Sequence, residues 1–173
     1  DFGAWAHVFG LLDRARWQRL FLVNDSMVGP LEQQGFTTMV QRIRQSSADI
    51  LGLTLCVGPV RHLQSYFLVI QGAALTHPAL LSFMQRVLNF PAKGQVVDVY
   101  EMQFTTLMER AGLRCEAVFA ALTDDVNNGD DTALRWEALI RAGFPYVKTR
   151  IIERHPDHPA IRLARQQSRF DTP

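Results

Sequence analysis

Long apolar runs are missing from this 173-residue chain; its longest, such as Tyr66–Ile70, fall far short of the ~20 residues a helix needs to cross a bilayer. A signal-peptide pattern of basic, apolar and small residues is missing too, so nothing read here directs the chain to secretion. Neither sign of charge dominates. Eighteen Lys and Arg stand against seventeen Asp and Glu, a formal net charge of +1, which excludes a global field drawing the protein onto nucleic acid or an anionic membrane. Phosphate binding, if present, has to be local. Cysteine is scarce: Cys56 and Cys115 lie far apart, without metal-ligand spacing, in apolar contexts that suit buried free thiols. A reducing, cytoplasmic setting is the resulting expectation. No Walker-type glycine-rich loop, nucleophile elbow, internal repeat or low-complexity segment occurs, which argues against a nucleotide hydrolase.

What is present is a globular balance, 47% hydrophobic and 20% charged residues, in a length that fits one domain. Residues 1–154 read as that domain and 155–173, with two His-Pro steps and many Arg and Gln, as a C-terminal tail that docks or frays. The chain opens on Asp1 in what reads as the middle of an element, so an N-terminal truncation is expected.

Apolar spacing predicts helices over 4–15, 31–45, 76–88, 98–111 and 132–142, with Gly112 and Gly143 at C-terminal positions. Short apolar runs predict strands at 20–23 (buried on both faces), 49–57, 65–70, 115–121 and 146–153. This alternation implies an α/β layer architecture, a Rossmann-like and mostly parallel sheet flanked by helices. Ligands of such sheets bind beyond the carboxyl ends of the strands. That rule singles out Asn24-Asp25-Ser26, Thr54 onward and the loops flanking Tyr66–Ile70.

Asn24-Asp25-Ser26 sets one carboxylate and two hydrogen-bonding side chains at the lip of a strand, where a diphosphate and a hard cation such as Mg2+ or Mn2+ would sit. The same residues suit an Asx turn leading to Gly29-Pro30. Arg61-His62-Leu63-Gln64-Ser65-Tyr66 brings a cation, an imidazole, an amide and hydroxyls ahead of a buried strand, groups that bind a sugar or phosphate or simply order a loop. His62, Gln64 and Ser65 are the substrate-binding candidates. The Asp- and Asn-rich stretch 123–131 lacks the register of a calcium loop and reads as solvated.

Asp1-Phe2-Gly3-Ala4-Trp5, Leu22-Val23-Asn24-Asp25-Ser26 with Gly29-Pro30-Leu31, Leu51-Gly52-Leu53-Thr54, His62-Leu63-Gln64-Ser65-Tyr66-Phe67-Leu68 and Tyr100-Glu101 together resemble the rhamnan synthesis protein F family. The resemblance covers residues 1–120 and weakens beyond, where Phe144-Pro145-Tyr146-Val147-Lys148 carries it. The family builds rhamnose-containing cell-surface polysaccharides and looks like a divergent GT-A glycosyltransferase. Such a likeness implies that Asp1, Asn24, Asp25 and Ser26 lie at the donor diphosphate, with Asp25 as ligand of a divalent cation. One carboxylate replaces the usual Asp-x-Asp pair. It further implies that Tyr100 contacts substrate and that Glu101, opening a helix, is the base deprotonating the acceptor hydroxyl. Residue physics alone favours for Glu101 a role at the positive end of a helix dipole, and for Trp5 a place in the core over stacking on a base or sugar face; the resemblance brings the two readings of Glu101 level.

The expected function is therefore inverting transfer of a deoxysugar such as rhamnose, from a donor such as dTDP-rhamnose, to a glycan or lipid-linked glycan at the inner face of the membrane. The alternative is a non-catalytic module that binds glycan or scaffolds the assembly enzymes.

Overall fold

The computed structural model describes residues 2–88, 90 and 93–162, Lys93 by its backbone only. In chain order the elements are α1 (Phe2–Leu11), β1 (Arg19–Val23), β2 (Met27–Val28), α2 (Gln33–Gln45), β3 (Ile50–Gly52), β4 (Leu55–Cys56), β5 (His62–Leu63), β6 (Phe67–Gln71) and α3 (Pro78–Gln85). There follow α4 (Lys93–Val96), a π-helical turn (Val97–Glu101), α5 (Met102–Arg110), β7 (Cys115–Ala117), α6 (Asp131–Leu134), α7 (Trp136–Arg141), β8 (Val147–Lys148) and α8 (Thr149–Arg154).

The main sheet has strand order β1-β6-β3-β7. β6 is antiparallel to both β1 (Phe21↔Val69) and β3 (Leu51↔Val69), while β3 and β7 are parallel (Leu51↔Glu116). The fold is mixed α/β with a mixed sheet, which corrects the mostly parallel expectation. Parallel neighbours need a crossover of a dozen or more residues, usually a helix. Between β3 and β6 the chain instead spends its length on the β4–β5 hairpin, pairing Leu55 with Leu63 and Cys56 with His62, and returns in the opposite direction. Apolar content at 67–71 reads the same for either direction, because β6 is buried at every position. β1 departs from its expectation as well. As an edge strand it alternates, leaving Phe21 and Val23 each 49% exposed.

Side chains alternate across the sheet as strand geometry requires. Leu22, Ile50, Leu68 and Ile70 face a core shared with Phe2, Leu80, Phe104 and Met108 of α1, α3 and α5. Leu51, Phe67 and Val69 face the other way, onto Met39 and Ile43 of α2 and onto Phe119 and Phe144. A smaller cluster joins Leu31, Trp136, Val147, Ile151 and Ile161. The described start of the 155–173 segment is thus docked: His158 packs edge-on against Trp136 with ring centroids 4.8 Å apart, and Ile161 is buried.

Gly112 (φ +87) and Gly143 (φ +86) terminate α5 and α7 in the left-handed region. Leu113 N–H bonds Met108 C=O, and Gly112 N–H bonds Glu109 C=O, the paired bonds that satisfy helix-end carbonyls. The predicted 132–142 helix breaks at Arg135 into α6 and α7, and the predicted 146–153 strand gives way to α8 after Lys148.

Candidate functional site

The end of β1 is held to β6 by Asn24 N–H, which donates to Tyr66 C=O at 3.1 Å. Asn24 Oδ1 then accepts from Ser26 N–H (3.0 Å) and Ser26 Oγ (2.6 Å), an Asx turn that reverses the chain into β2. β2 pairs antiparallel with β8 (Met27↔Lys148), and Thr149 N–H donates to Ser26 C=O at 3.0 Å. The turn at 24–26 is therefore tied to the segment carrying Lys148 and Arg150. Between them opens a cleft of about 630 Å3 whose walls include Asn24, Asp25, Ser26, His62, Gln64, Ser65, Glu101, Asp130, Lys148 and Arg150.

Glu101 ends the π turn, where Met102 N–H reaches back to Val97 C=O. Such π turns frequently sit at functional sites. Glu101 is directed to the cleft, and its carboxylate accepts from Ser65 Oγ (2.8 Å) and Ser65 N–H (3.3 Å). His62 Nε2 lies 3.7 Å from Glu101 Oε1, and its Nδ1 lies 2.7 Å from Val60 C=O. A carbonyl only accepts, so Nδ1 carries the hydrogen and the ring is fixed with Nε2 toward the carboxylate. Residues 93–100 precede Glu101 within the helical run, so it does not stand at a helix N-terminus and the dipole reading loses its basis.

A buried relay forms the floor. Thr54 Oγ1 donates to Gln64 Oε1 (2.7 Å) and lies 2.6 Å from the Tyr66 hydroxyl, which as the remaining donor directs its hydrogen to Thr54. Gln64 Nε2 donates to Asp130 Oδ1 at 3.1 Å. Asp130 also accepts from Thr132 Oγ1 (2.6 Å) and caps α6 through Ala133 N–H (3.2 Å). Its other oxygen, Oδ2, takes Lys148 Nζ at 2.8 Å and Arg150 Nη2 at 3.4 Å. Burial opposes ionisation of Asp130, but the Lys148 ammonium and these hydrogen bonds outweigh it and hold the carboxyl below its ordinary range. At Lys148 the balance falls the other way: burial exceeds the attraction of Asp130 and holds the ammonium below the usual lysine range. Burial raises the Cys56 thiol in the cleft wall, which keeps it protonated and unreactive at neutral pH.

The cleft thus brings together Asn24, Asp25, Ser26, His62, Gln64, Ser65 and Glu101 from the sequence reading. Tyr100 does not reach it. Its ring packs against Phe2, Phe83 and Phe90, and its hydroxyl accepts from Leu88 N–H at 2.6 Å, so the substrate contact expected of it is replaced by a core position. Trp5 packs edge-on against Phe2 at the same core, with centroids 5.3 Å apart. Asp1 lies outside the described residues. Asn24 spends its amide oxygen within the turn, as the Asx alternative requires. Among the described residues no three His, Cys, Asp or Glu side chains group closely enough to hold a metal ion. Asp25, a single exposed carboxylate, does not build a dedicated protein cage for a metal ion.

Asp130, Lys148 and Arg150 escape sequence reading because the loop 123–131 looks solvated and the cations lie 18 and 20 residues further on. An Asp-Asp step just before an apolar helical pattern was the available signal, being a helix N-cap signature. A family model described as rhamnan synthesis protein F matches residues 1–168. The chain belongs to the rhamnan synthesis protein F family. No curated protein and no solved structure matches it. Membership in the rhamnan synthesis protein F family connects the chain with rhamnan synthesis, a polysaccharide pathway, and extends the likeness over the Lys148 segment. No helix among the described residues is long and apolar enough to cross a membrane.

The position of Asp130 in this rhamnan synthesis protein F member depends on Gly129. A Cβ there would collide with the Gly58 amide nitrogen and stand 2.8 Å from Val57 carbonyl carbon, both rigid backbone atoms. Gly129→Ala is expected to push the loop off β4 and destabilise the fold by about 1–3 kcal/mol, as overpacking does. Urea denaturation checks this; an unchanged midpoint would show that the loop yields without cost.

Proposed function

We propose that this cleft transfers a deoxysugar such as rhamnose, from a nucleotide-sugar donor such as dTDP-rhamnose, to a hydroxyl of a growing glycan, with inversion at the anomeric carbon. The setting is the cytoplasm, at the inner membrane face where a lipid-linked acceptor would be met. Glu101 takes the proton of the acceptor hydroxyl while that oxygen bonds to the anomeric carbon. The bond from that carbon to the donor phosphate breaks, and the nucleoside diphosphate leaves with the electron pair. General bases of this kind contribute about 10²–10⁴-fold when held within hydrogen-bond reach of the proton they remove.

The observation carrying this reading is the setting of Glu101: a carboxylate lining the cleft, fixed by two Ser65 hydrogen bonds, with the His62 ring beside it. An ionised carboxylate has about four lone-pair positions, so the Ser65 bonds leave acceptor capacity for a substrate hydroxyl. Asn24, Ser26 and Gln64 add polar groups to the walls, which suits a sugar, whose hydroxyls need partners once water is displaced.

The test is transfer of labelled rhamnose from dTDP-rhamnose to a rhamnan primer by the full-length protein, with product anomeric configuration read by NMR. Product of configuration opposite to the donor is expected. Saturable glycan binding without any transfer would instead make the protein a binding module of the assembly system.

A further inference from the structure

Two cations share one carboxylate oxygen at the cleft wall. Lys148 Nζ and Arg150 Nη2 both converge on Asp130 Oδ2, so the trio carries more positive than negative charge. Asp130 is well served, with Gln64, Thr132 and Ala133 on its other oxygen. Lys148 is not. Its side chain is 14% exposed, and the depression of its pKa by burial means that the surroundings undercompensate its charge. An ammonium has three hydrogens and a guanidinium five, so both groups keep donors for a second anion. Among the described residues, the other titratable side chains of the cleft, Asp25, Cys56, His62, Tyr66, Glu101 and Glu153, bring no further Lys or Arg, and the carboxylates among them repel phosphate. Among the described residues an anion is therefore best served at the Lys148–Arg150 end.

We infer that Lys148 and Arg150 form a diphosphate subsite that holds the leaving group of the nucleotide donor, neutralising its charge directly and without a divalent cation. This rests on the transferase reading and adds to it a donor orientation. The diphosphate lies against Lys148 and Arg150, the transferred sugar spans the middle of the cleft above Gln64, and the acceptor approaches from Glu101. Positive side chains at a breaking bond to phosphate stabilise the charge that develops on the leaving oxygen. A planar guanidinium beside an ammonium suits the paired oxygens of a diphosphate.

The experiment is calorimetric titration of the whole chain with thymidine diphosphate and with inorganic pyrophosphate, in EDTA and in Mg2+. Binding in EDTA, no tighter with Mg2+, is expected. Lys148→Met and Arg150→Ala should each weaken it roughly tenfold, as loss of a charge-assisted bond does. Affinity should fall with added salt, and also as pH rises through the lowered pKa of Lys148, because the neutral amine no longer attracts the anion. Binding that requires Mg2+, or wild-type affinity in both variants, overturns the subsite. Arg150 is about half exposed, so its variant keeps the test decisive if Lys148→Met does not fold. Rhamnosyl transfer that persists with metal-dependent diphosphate binding would sink the subsite alone. Diphosphate binding in EDTA without any transfer would sink the transferase reading alone.

Discussion

Glu101→Gln is expected to lower the rate of rhamnosyl transfer by about 10²–10⁴-fold while leaving nucleoside diphosphate affinity unchanged. The amide matches the carboxylate in shape. Its oxygen can still accept from Ser65 N–H, and the Ser65 hydroxyl, now held at 2.8 Å, can turn to accept from the amide nitrogen. What the amide lacks is basicity, so the loss falls on the proton-transfer step rather than on substrate binding. Single-turnover transfer measured beside thymidine diphosphate titration separates the two. Transfer at the wild-type rate would remove Glu101 from the mechanism. Equal losses of diphosphate affinity and transfer would make it a structural support.

Asp130→Ala is expected to cost about 2–3 kcal/mol of stability at neutral pH, less than the 3–5 typical of breaking a fully buried ion pair because Asp130 is 30% exposed. The substitution strips Lys148 of its carboxylate, leaves Gln64 Nε2 without its acceptor and removes the cap of α6. The pH dependence has a definite sign. The folded pKa of Asp130 lies below the ordinary 3.8, so its contribution is fully present above 3.8 and is lost as pH falls through the lower folded value. Urea unfolding of wild type and variant should therefore show a gap that is constant near neutrality and narrows in acid. A gap that widened in acid would contradict the depressed pKa, and no gap at neutrality would reduce the Lys148–Asp130 pair to a surface contact.

Helices were legible where apolar spacing and terminators agreed. α2 lies within its predicted range, and Gly112 and Gly143 adopt the positive φ their positions implied. Strand direction was not legible, because Phe67–Gln71 is buried on both faces and fits parallel or antiparallel neighbours alike; the intervening hairpin decided it. At the site, Glu101 and Tyr100 are neighbours in sequence, yet successive side chains of a helical run point in different directions, one to the cleft and the other into aromatic packing. The pair's adjacency in sequence does not tell which of the two faces the cleft. His62, Gln64 and Ser65 were legible as polar groups preceding an apolar strand. Asp130 was not, since its partners Gln64, Lys148 and Arg150 are distant in sequence and an acidic loop without them is indistinguishable from a solvated one.

The β2–β8 ladder fixes the order in which a growing chain acquires these features. β7 ends at Ala117 and completes the four-stranded sheet, whereas Lys148 and Arg150 are synthesised afterwards. Asp25 and its hydrogen-bonding partner Thr149 are 124 residues apart, so the contact between them carries a large loop-closure cost and comes late. A nascent chain reaching only to Leu122 would already own every strand of the four-stranded sheet and the walls that residues 24–26 and 62–65 place beside Glu101, but not the wall that Lys148 and Arg150 supply. The side of the cleft that carries its two cations is therefore completed only after the four-stranded sheet is in place.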